Sequence, residues 1–299
     1  MKRIAEEIGW TPNVAAVALS AGKAGAIGLV IARPEESFTG ERFFMRLIAG
    51  IERVLSSSSR NLVLRFAASL DEEIVTYRQW WSERRVDGVI LTDPREDDPR
   101  FATLKELGLP AVVVGAQAGS PLPCVQVDDG AAMELLVDHF ADLGRQRLAH
   151  VSGSPELIHT QNRRIAFERR CAERGVTALP PAPTDFSEEA GRRTTAALLA
   201  GAEPPDGIIY DNEVLTIGGL VAVSESSLSV PGDVALASFE DSPICRIARP
   251  QITSLVRDPA ELGNHAAALL VEMVNGDEPD PRIEPVMELE VRGSTDPSR

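Results

Sequence analysis

The sequence is poor in cysteine and in long apolar runs, and each shortage excludes a class of protein. Its three cysteines, Cys124, Cys171 and Cys245, form no CxxC pair, and an odd number without such a pair predicts reduced, buried thiols. The longest apolar runs, such as residues 111–116, are far shorter than the roughly 18 residues of a membrane-spanning helix. The N-terminal stretch MKRIAEEIGW has acidic residues where a secretory signal has its apolar segment. We therefore expect a cytoplasmic protein without a membrane span.

Basic residues are also scarce relative to acidic ones. The chain has 30 lysines and arginines against 45 aspartates and glutamates, which gives a net charge of −15. Such a balance disfavours most of the surface as a partner for nucleic-acid phosphates. Any contact with DNA must then come from a local segment, and the N-terminal stretch is the obvious candidate.

The common catalytic and cofactor motifs are missing. No predicted strand is followed by GxGxxG or GxxxxGK[ST], and there is no GxSxG elbow. The histidines, His139, His150, His159 and His265, lack HExxH or paired i, i+4 spacing. No nucleophile, base and orienting group can be assembled from the sequence. It therefore predicts a non-enzyme without a cofactor or metal.

Two charged stretches have simple structural interpretations. Asp128 and Asp129 lie between a predicted strand and a predicted helix, where carboxylates suit the first helical turn, although paired carboxylates could also bind a cation or a sugar hydroxyl. The sequence DPREDDPR at 93–100 is bounded by prolines and rich in charge, which predicts a solvated loop.

From residue 26 onward, short β-branched runs alternate with longer helical patterns. The predicted strands are 26–32, 61–68, 86–92, 110–116, 124–128, 148–153, 207–211, 233–239, 252–256 and 286–293. The predicted helices are 43–58, 71–85, 101–108, 131–144, 162–175, 187–201, 213–228 and 259–276. Continuously apolar strands joined by helical crossovers form buried parallel sheets.

The alternation runs in two series, so we predict an α/β fold with two doubly wound parallel-sheet lobes. We expect residues 25–123 with 257–284 to form an N-terminal lobe, and residues 124–256 with 285–295 to form a C-terminal lobe. Residues 1–24 are expected to precede both lobes. In open α/β sheets the ligand lies beyond the carboxyl ends of the strands, so a small molecule is expected between the lobes.

Five collinear strings resemble the lac/gal repressor (LacI/GalR) family of bacterial transcription regulators. They are IAEEIGWTPNVAAVALSAGKAGAIGLV, RRVDGVIL, HFADLGRQRLAHVSG, VPGDVALASFED and ITSLVRDPAELG, and they span nearly the whole chain. The resemblance implies a periplasmic-binding-protein-like (type I) effector domain, preceded by a short hinge helix.

The hinge helix implied by the resemblance orders on binding DNA, where a dimer inserts a leucine into the minor groove. In this sequence Leu19 matches the inserted leucine, and Asn13 matches the residue that caps the helix. Before the hinge, MKRIAEEIG matches only the end of the family's helix-turn-helix headpiece. We therefore expect that the chain as given does not read base edges in the major groove.

The resemblance also implies effector-binding residues at the ends of strands. Arg163, in RRIAF, matches an arginine that bonds hydroxyls or a carboxylate; the alternative is a surface salt bridge. Phe186 matches an aromatic that stacks on a sugar face; the alternative is packing at the helix entry. Asn212 matches a ligand-bonding asparagine, and capping the next helix is compatible with that role. Glu240 stands where the family usually has aspartate.

In the first lobe, the loop IARPEESFTGERFF is longer than is common in the family, and it contributes Arg33, Glu35 and Phe43 as candidate wall residues. Gly115 stands where many sugar-binding members have an aspartate. Its lack of a side chain favours a glycoside larger than a monosaccharide.

Together these observations predict the effector-sensing core of a transcriptional regulator, and the resemblance implies a repressor. A sugar-like effector would close the lobes and alter operator affinity in a homodimer. One alternative is a sugar solute-binding protein of an uptake system, which shares the two-lobed fold. Another is an α/β enzyme with a diffuse site.

Overall fold

Two β-sheets organise the part of the chain described by the computed structural model, residues 23–33, 42–117, 119–296 and 298. Each sheet forms the centre of one lobe, with helices packed against it. The predicted α/β fold with two parallel-sheet lobes is confirmed. Asn13, Leu19 and Glu35 lie outside the described residues. Within the described ranges, no helix has the length and apolar character needed to cross a membrane.

In the described part of the chain, the first lobe is built from ten elements. They are β1 (Ala26–Ile31), α1 (Arg42–Ser57), β2 (Asn61–Phe66), α2 (Leu70–Ser82), β3 (Gly88–Leu91), α3 (Pro99–Leu107), β4 (Ala111–Ala116) and β5 (Cys124–Gln126), and later in the chain α9 (Pro259–Asn275) and β12 (Arg282–Ile283). Its six strands are all parallel, in the order β12-β5-β4-β3-β1-β2.

The second lobe is built from twelve elements. They are α4 (Asp129–Asp142), β6 (Arg147–Ser152), α5 (Ile158–Arg174), β7 (Thr177–Ala178), β8 (Ala182–Pro183), α6 (Glu188–Leu199), β9 (Gly207–Tyr210), α7 (Glu213–Ser224), β10 (Ala235–Ser238), α8 (Pro243–Ile247), β11 (Thr253–Val256) and β13 (Glu288–Glu290). The strand order is β13-β11-β10-β9-β6-β7, and β8 also pairs with β6.

Two details of the sheets differ from the sequence prediction. Strand β13 is antiparallel to β11, with Leu289 opposite Leu255, because the chain returns from the first lobe and enters the second sheet from the opposite end. Strand β5 pairs with β4 in the first sheet, whereas the predicted lobe boundary placed Cys124 at the start of the C-terminal lobe.

The chain crosses between the lobes three times. The crossings lie between β5 and α4, between β11 and α9, and between β12 and β13. Asp129 begins the helix after the first crossing, and Arg257 lies on the second. Side chains on these segments are therefore placed beside the cleft between the lobes.

The central strands are buried on both faces, as their continuous apolar runs predict. Every residue of β1, β3, β9 and β10 is buried. Helices α1 and α9 approach each other closely at Gly50 and Gly263, where an added Cβ would lie 1.9 Å from the Ala260 carbonyl oxygen and 2.1 Å from the Leu47 carbonyl oxygen. The two glycines therefore allow this helix pair to cover one face of the first sheet.

Candidate functional site

A cavity of about 560 Å³, which includes space open to solvent, lies between the lobes. It is bounded by the carboxyl ends of strands from both sheets, where the fold is expected to place a ligand. Residues of both lobes line it: Arg33, Phe43, Thr92, Asp93, Pro94, Val114, Gly115, Val127, Asp129, His159, Arg163, Phe186, Asp211, Asn212, Glu240, Arg257 and Leu262. Six of the seven predicted effector residues are in this group.

Arg163 is a buried, fully partnered cation and not part of a surface salt bridge. Its Nη2 lies 2.8 Å from Asp129 Oδ1, and its Nη1 lies 3.3 Å from Asp211 Oδ1. The guanidinium carbon is 3.7 Å from the centre of the Phe239 ring. Two carboxylates and an aromatic face therefore fix the position of this guanidinium at the wall of the cavity.

Asp211 connects Arg163 to the interior of the second lobe. Its Oδ1 also contacts His150 Nε2 at 2.9 Å, and its Oδ2 accepts a hydrogen bond from the Gly153 backbone N–H at 2.8 Å. Burial alone would raise the pKa of Asp211, but the attraction of His150 and Arg163 lowers it. Asp211 is consequently a permanent anion that orients the arginine.

Arg33 and Asp93 form the corresponding ion pair on the first lobe. Arg33 Nε donates to Asp93 Oδ2 at 2.6 Å, and Nη2 donates to Oδ1 at 2.8 Å, a bidentate arrangement. Burial would raise the pKa of Asp93, but the Arg33 guanidinium lowers it to about 2. The two residues follow β1 and β3, which are neighbours in the sheet.

Phe186 is held against the cleft by an unusual backbone conformation. It has a φ of 67° and is only 4% exposed. The ring fits over Gly153, where an added Cβ would lie 1.7 Å from Phe186 Cζ. Positive φ is strained for a bulky residue, and such strain is characteristic of functional sites. Packing at the helix entry and a place in the cavity wall are thus combined in one residue.

Asn212 caps α7 and presents its amide group at the cavity. The Oδ1 atom accepts a hydrogen bond from the Leu215 backbone N–H at 2.9 Å. Its Nδ2 atom is buried and has no hydrogen-bond partner among the described residues. Capping fixes the carboxamide, and the NH₂ group remains as an unpaired donor.

Glu240 and Arg257 form an ion pair at the second crossing. Arg257 Nη2 donates to Glu240 Oε1, and the Arg257 guanidinium carbon lies 5.0 Å from the centre of the Phe43 ring. Nearby, Glu213 accepts a hydrogen bond from the Arg42 backbone N–H at 2.9 Å, which joins the starts of α7 and α1. Burial and the charge of Glu240 raise the pKa of Glu213 to about 7.

His159 is a neutral member of the cavity wall. Burial and the nearby Arg163 charge lower its pKa to about 4. The ring centre lies 6.2 Å from that of Phe186. It can therefore offer one donor and one acceptor at neutral pH. Within the described ranges, no group of three or more His, Cys, Asp or Glu side chains could hold a metal ion.

The stretch 93–100 is only in part the solvated loop that its charge predicted. Glu96 and Asp97 are exposed, in agreement with that prediction. Arg100, in contrast, is 2% exposed and donates to Asp98, to Glu73 Oε1 at 2.9 Å and to the carbonyl oxygens of Thr92 and Asp93, both at 3.0 Å. Its charge is buried because it is paired with carboxylates. Arg100 thereby fixes the backbone that carries Asp93 into the cavity.

Of the adjacent carboxylates Asp128 and Asp129, only Asp128 caps the helix that follows, as the sequence predicted for both. Asp128 Oδ1 accepts a hydrogen bond from the Ala131 backbone N–H, as a helix cap does. Asp129 instead pairs with Arg163 and lines the cavity. The sequence prediction did not include Asp93, Asp211, His159 or Arg257 among the effector residues. Asp93 directly follows a predicted strand and Asp211 ends one, which is the signal that could have found these two.

The periplasmic binding protein-like domain family matches residues 137–295 of this chain. The transcriptional regulator AglR of Rhizobium meliloti is 31% identical over 240 residues, which cover 79% of this chain and 67% of AglR. The transcriptional regulator CelR of Thermobifida fusca is 26% identical over 288 residues, which cover 94% of this chain and 84% of CelR.

Solved structures show the same fold. A LacI family regulator from Bifidobacterium animalis has a TM-score of 0.83 and 31% identity, with 91% of this chain and 98% of that chain covered. A CelR–cellobiose complex has a TM-score of 0.83 and 24% identity, with 98% and 89% covered. The fold and cleft define a periplasmic-binding-protein-like domain. The chain belongs to the LacI family of transcriptional regulators, and the uptake-protein alternative is not favoured.

Proposed function

We propose that the cleft binds a small sugar or glycoside as effector, and that this binding alters operator affinity. The observation that carries the proposal is the buried Nδ2 of Asn212, a fixed donor without a partner among the described residues. A buried unpaired donor costs about 1–3 kcal/mol, which a ligand oxygen would recover. We infer a signalling role without catalysis for the cleft. Because such a regulator acts on DNA, we expect the protein to work in the cytoplasm.

The remainder of the cleft suits a carbohydrate. Phe43 and Phe186 supply aromatic faces, while Arg163 and Asp129 supply fixed polar groups. At Gly115, whose φ is 80°, no atom lies within 4 Å of the place where a Cβ would stand. This open space supports an effector larger than a monosaccharide. The cellobiose bound to the related CelR is an effector of that size class.

Coupling to DNA follows from the position of the cleft residues. A ligand that contacts both lobes favours one closure state over others, and only such differential binding can shift operator affinity. Strand β1, which begins at Ala26, follows directly after the stretch that resembles a hinge helix. A change in the spacing of the first lobes within a dimer would therefore reach the DNA-binding segment.

The dimer we propose uses the first lobe. Strand β2 is at the edge of its sheet and is largely exposed, in contrast to the buried central strands. Leu64 and Phe66 of this strand are exposed apolar side chains, and Met45, Val75 and Trp81 are exposed on α1 and α2, the helices that precede and follow β2 in the chain. Sedimentation velocity should show a dimer, and Leu64→Lys with Phe66→Lys should shift it towards monomer. A wild-type monomer at micromolar concentration would contradict this assignment.

Isothermal titration calorimetry with neutral mono- and disaccharides tests the ligand proposal. Asn212→Asp keeps an excellent helix cap but replaces the NH₂ donor by an acceptor, so the affinity should fall about tenfold or more. Asn275→Asp is the matched control. Asn275 is exposed, and its Oδ1 accepts a hydrogen bond from Arg60 that an aspartate oxygen can also accept. Equal affinity in wild type and Asn212→Asp would refute the proposed role of Asn212.

A form of the protein that carries a complete helix-turn-helix headpiece tests the regulatory part, through its binding to DNA from the promoter region of the gene itself. With and without the sugar found by calorimetry, the affinity should differ by a factor of about 5–150, the usual range of coupling between two sites. If the affinity for DNA is the same with and without the sugar, sugar binding does not regulate DNA binding.

A further inference from the structure

Each arginine that lines the described part of the cleft is already paired with a carboxylate. Arg33 is paired with Asp93, Arg163 with Asp129 and Asp211, and Arg257 with Glu240. These pairs are side-chain to side-chain contacts within the protein. An arriving anion would therefore meet guanidinium groups whose charge is already balanced by a carboxylate.

The cleft also carries more negative than positive charge. Three arginines and four carboxylates line it among the described residues, which leaves a net charge of −1 when His159 is neutral. Glu213 lies next to this set, beside Glu240 in an adjoining cavity. Burial, and after it the charge of Glu240, raises the pKa of Glu213.

The polar atoms left over include both donors and acceptors. Asn212 Nδ2 and Arg257 Nε are buried donors that have no partner among the described residues. Both contacts of Arg163 with Asp129 use Oδ1, and Arg257 contacts only Oε1 of Glu240. Asp129 Oδ2 and Glu240 Oε2 therefore have no hydrogen-bond partner within the described ranges. A hydroxyl group can donate to such oxygens and accept from the N–H groups, whereas a phosphate dianion or carboxylate only accepts.

We propose that the cleft selects an uncharged, hydroxyl-bearing effector and rejects its phosphorylated and carboxylated counterparts. The inference rests on the proposed function and narrows its ligand class. Asp129 and Glu240 act as acceptors for ligand hydroxyls and as the charges that repel anions. Asn212 and Arg257 Nε act as donors to ligand oxygens.

The test compares matched pairs by isothermal titration calorimetry: glucose with glucose 6-phosphate and with glucuronate, ribose with ribose 5-phosphate, and cellobiose with cellobionate. In any pair of which one sugar binds, the neutral sugar should bind roughly a hundredfold more tightly than the anionic one. The reason is that unpaired like charges at close range cost several kcal/mol. Between 20 mM and 1 M NaCl, the affinity of the neutral member should remain constant. Tighter binding of the anionic member would overturn the inference and leave the proposed sugar site intact.

A second measurement does not depend on the identity of the effector. The melting temperature of the wild-type chain in inorganic phosphate should equal that in sodium chloride of the same ionic strength. Glu240→Gln makes the lining neutral and leaves Arg257 without its counter-charge, so phosphate should now stabilise the protein and the preference for neutral over anionic sugar should narrow about tenfold.

Glu261→Gln is the control, since Glu261 is exposed and pairs with Arg53 on the surface of α9. It should behave as wild type in both measurements. Phosphate stabilisation of the wild type, or an unchanged preference in Glu240→Gln, would overturn the inference. If no neutral or anionic sugar binds at all while phosphate gives no stabilisation, the failure lies with the proposed sugar function and not with the rejection of anions.

Discussion

The guanidinium carbon of Arg33 lies 4.6 Å from the centre of the Phe186 ring, and this contact joins the two lobes across the mouth of the cleft. Arg33 follows the first strand of one sheet, and Phe186 precedes α6 on the other lobe. A cation over an aromatic face contributes about 0.5–2 kcal/mol. The contact is therefore strong enough to favour a closed arrangement and weak enough to be reversed.

Replacement of Arg33 by methionine should destabilise the first lobe. The change leaves the Asp93 carboxylate, which is only 19% exposed, without its bidentate partner, and breaking a buried pair costs about 3–5 kcal/mol. Urea denaturation of the variant should show a loss of this size. Arg53→Met removes a pair whose side chains are both more than half exposed, and the loss should be within about 1 kcal/mol. Equal losses in the two variants would contradict the assignment.

Gly153→Ala should displace the Phe186 ring. An added methyl group would stand 1.7 Å from Phe186 Cζ, far inside van der Waals contact, so the ring must leave its place in the cavity wall. We expect sugar affinity to fall about tenfold or more, with a loss of about 1–3 kcal/mol in stability. Gly130→Ala is the control, because the nearest atom there is at 3.4 Å. A variant that binds as wild type would show that the position of Phe186 is immaterial.

Arg100→Met should be among the most damaging single changes in the first lobe. It removes the cation that pairs with Asp98 and Glu73 and that fixes the carbonyl groups before the α3 segment. Two carboxylates would be left buried, at a cost of about 3–5 kcal/mol measured by denaturant unfolding. Arg78→Met, which breaks an exposed pair with Glu106, should have little effect. If Arg100 were solvated, both variants would instead lose little stability.

As the pH rises from 5 to 8, the free energy of unfolding should fall more for the wild-type chain than for Glu213→Gln. The pKa of Glu213 rises from 4.5 to about 7 on folding, so the folded state binds more protons than the unfolded state in this window and loses stability as the pH rises. The contribution is about 3 kcal/mol over the whole window. The groups facing it are Glu240 and the Arg42 backbone N–H, to which a glutamine oxygen can still bond.

Free energies of unfolding at several pH values would check this expectation. Glu225→Gln is the control, because Glu225 is exposed and forms a surface pair with Arg192. It should keep the wild-type pH dependence. A Glu213→Gln profile parallel to that of wild type would show that this carboxylate does not carry the dependence.

The fold was largely predictable because apolar strands and amphipathic helices are local patterns. Strands β1, β3 and β9 lie within one or two residues of the predicted bounds. The pairing partners were less predictable. Strands β5 and β13 are only three residues long, and their sheet depends on where the chain crosses between lobes, which no local pattern encodes.

The candidate site was predictable to the extent that it follows strand ends. The predicted residues Arg163, Phe186 and Asn212 line the cavity, and their role in binding stays a prediction. The partners of Arg163, Asp129 and Asp211, are recognised only when the three-dimensional contacts are known. The charge composition led to a wrong prediction of solvent exposure at Arg100, because a buried network and a solvated loop can have the same residue types. Burial of paired charges is decided by tertiary geometry and not by sequence neighbours.

Asp129 and Arg257, which line the cavity, are also adjacent to or part of the segments by which the chain passes from one lobe to the other. If the proposed effector bonds to Arg257, it would act directly on the backbone of a segment that joins the lobes. Sensing and motion then share the same few peptide units. No relay of packed side chains is needed to convert occupancy of the cavity into rotation of one lobe against the other.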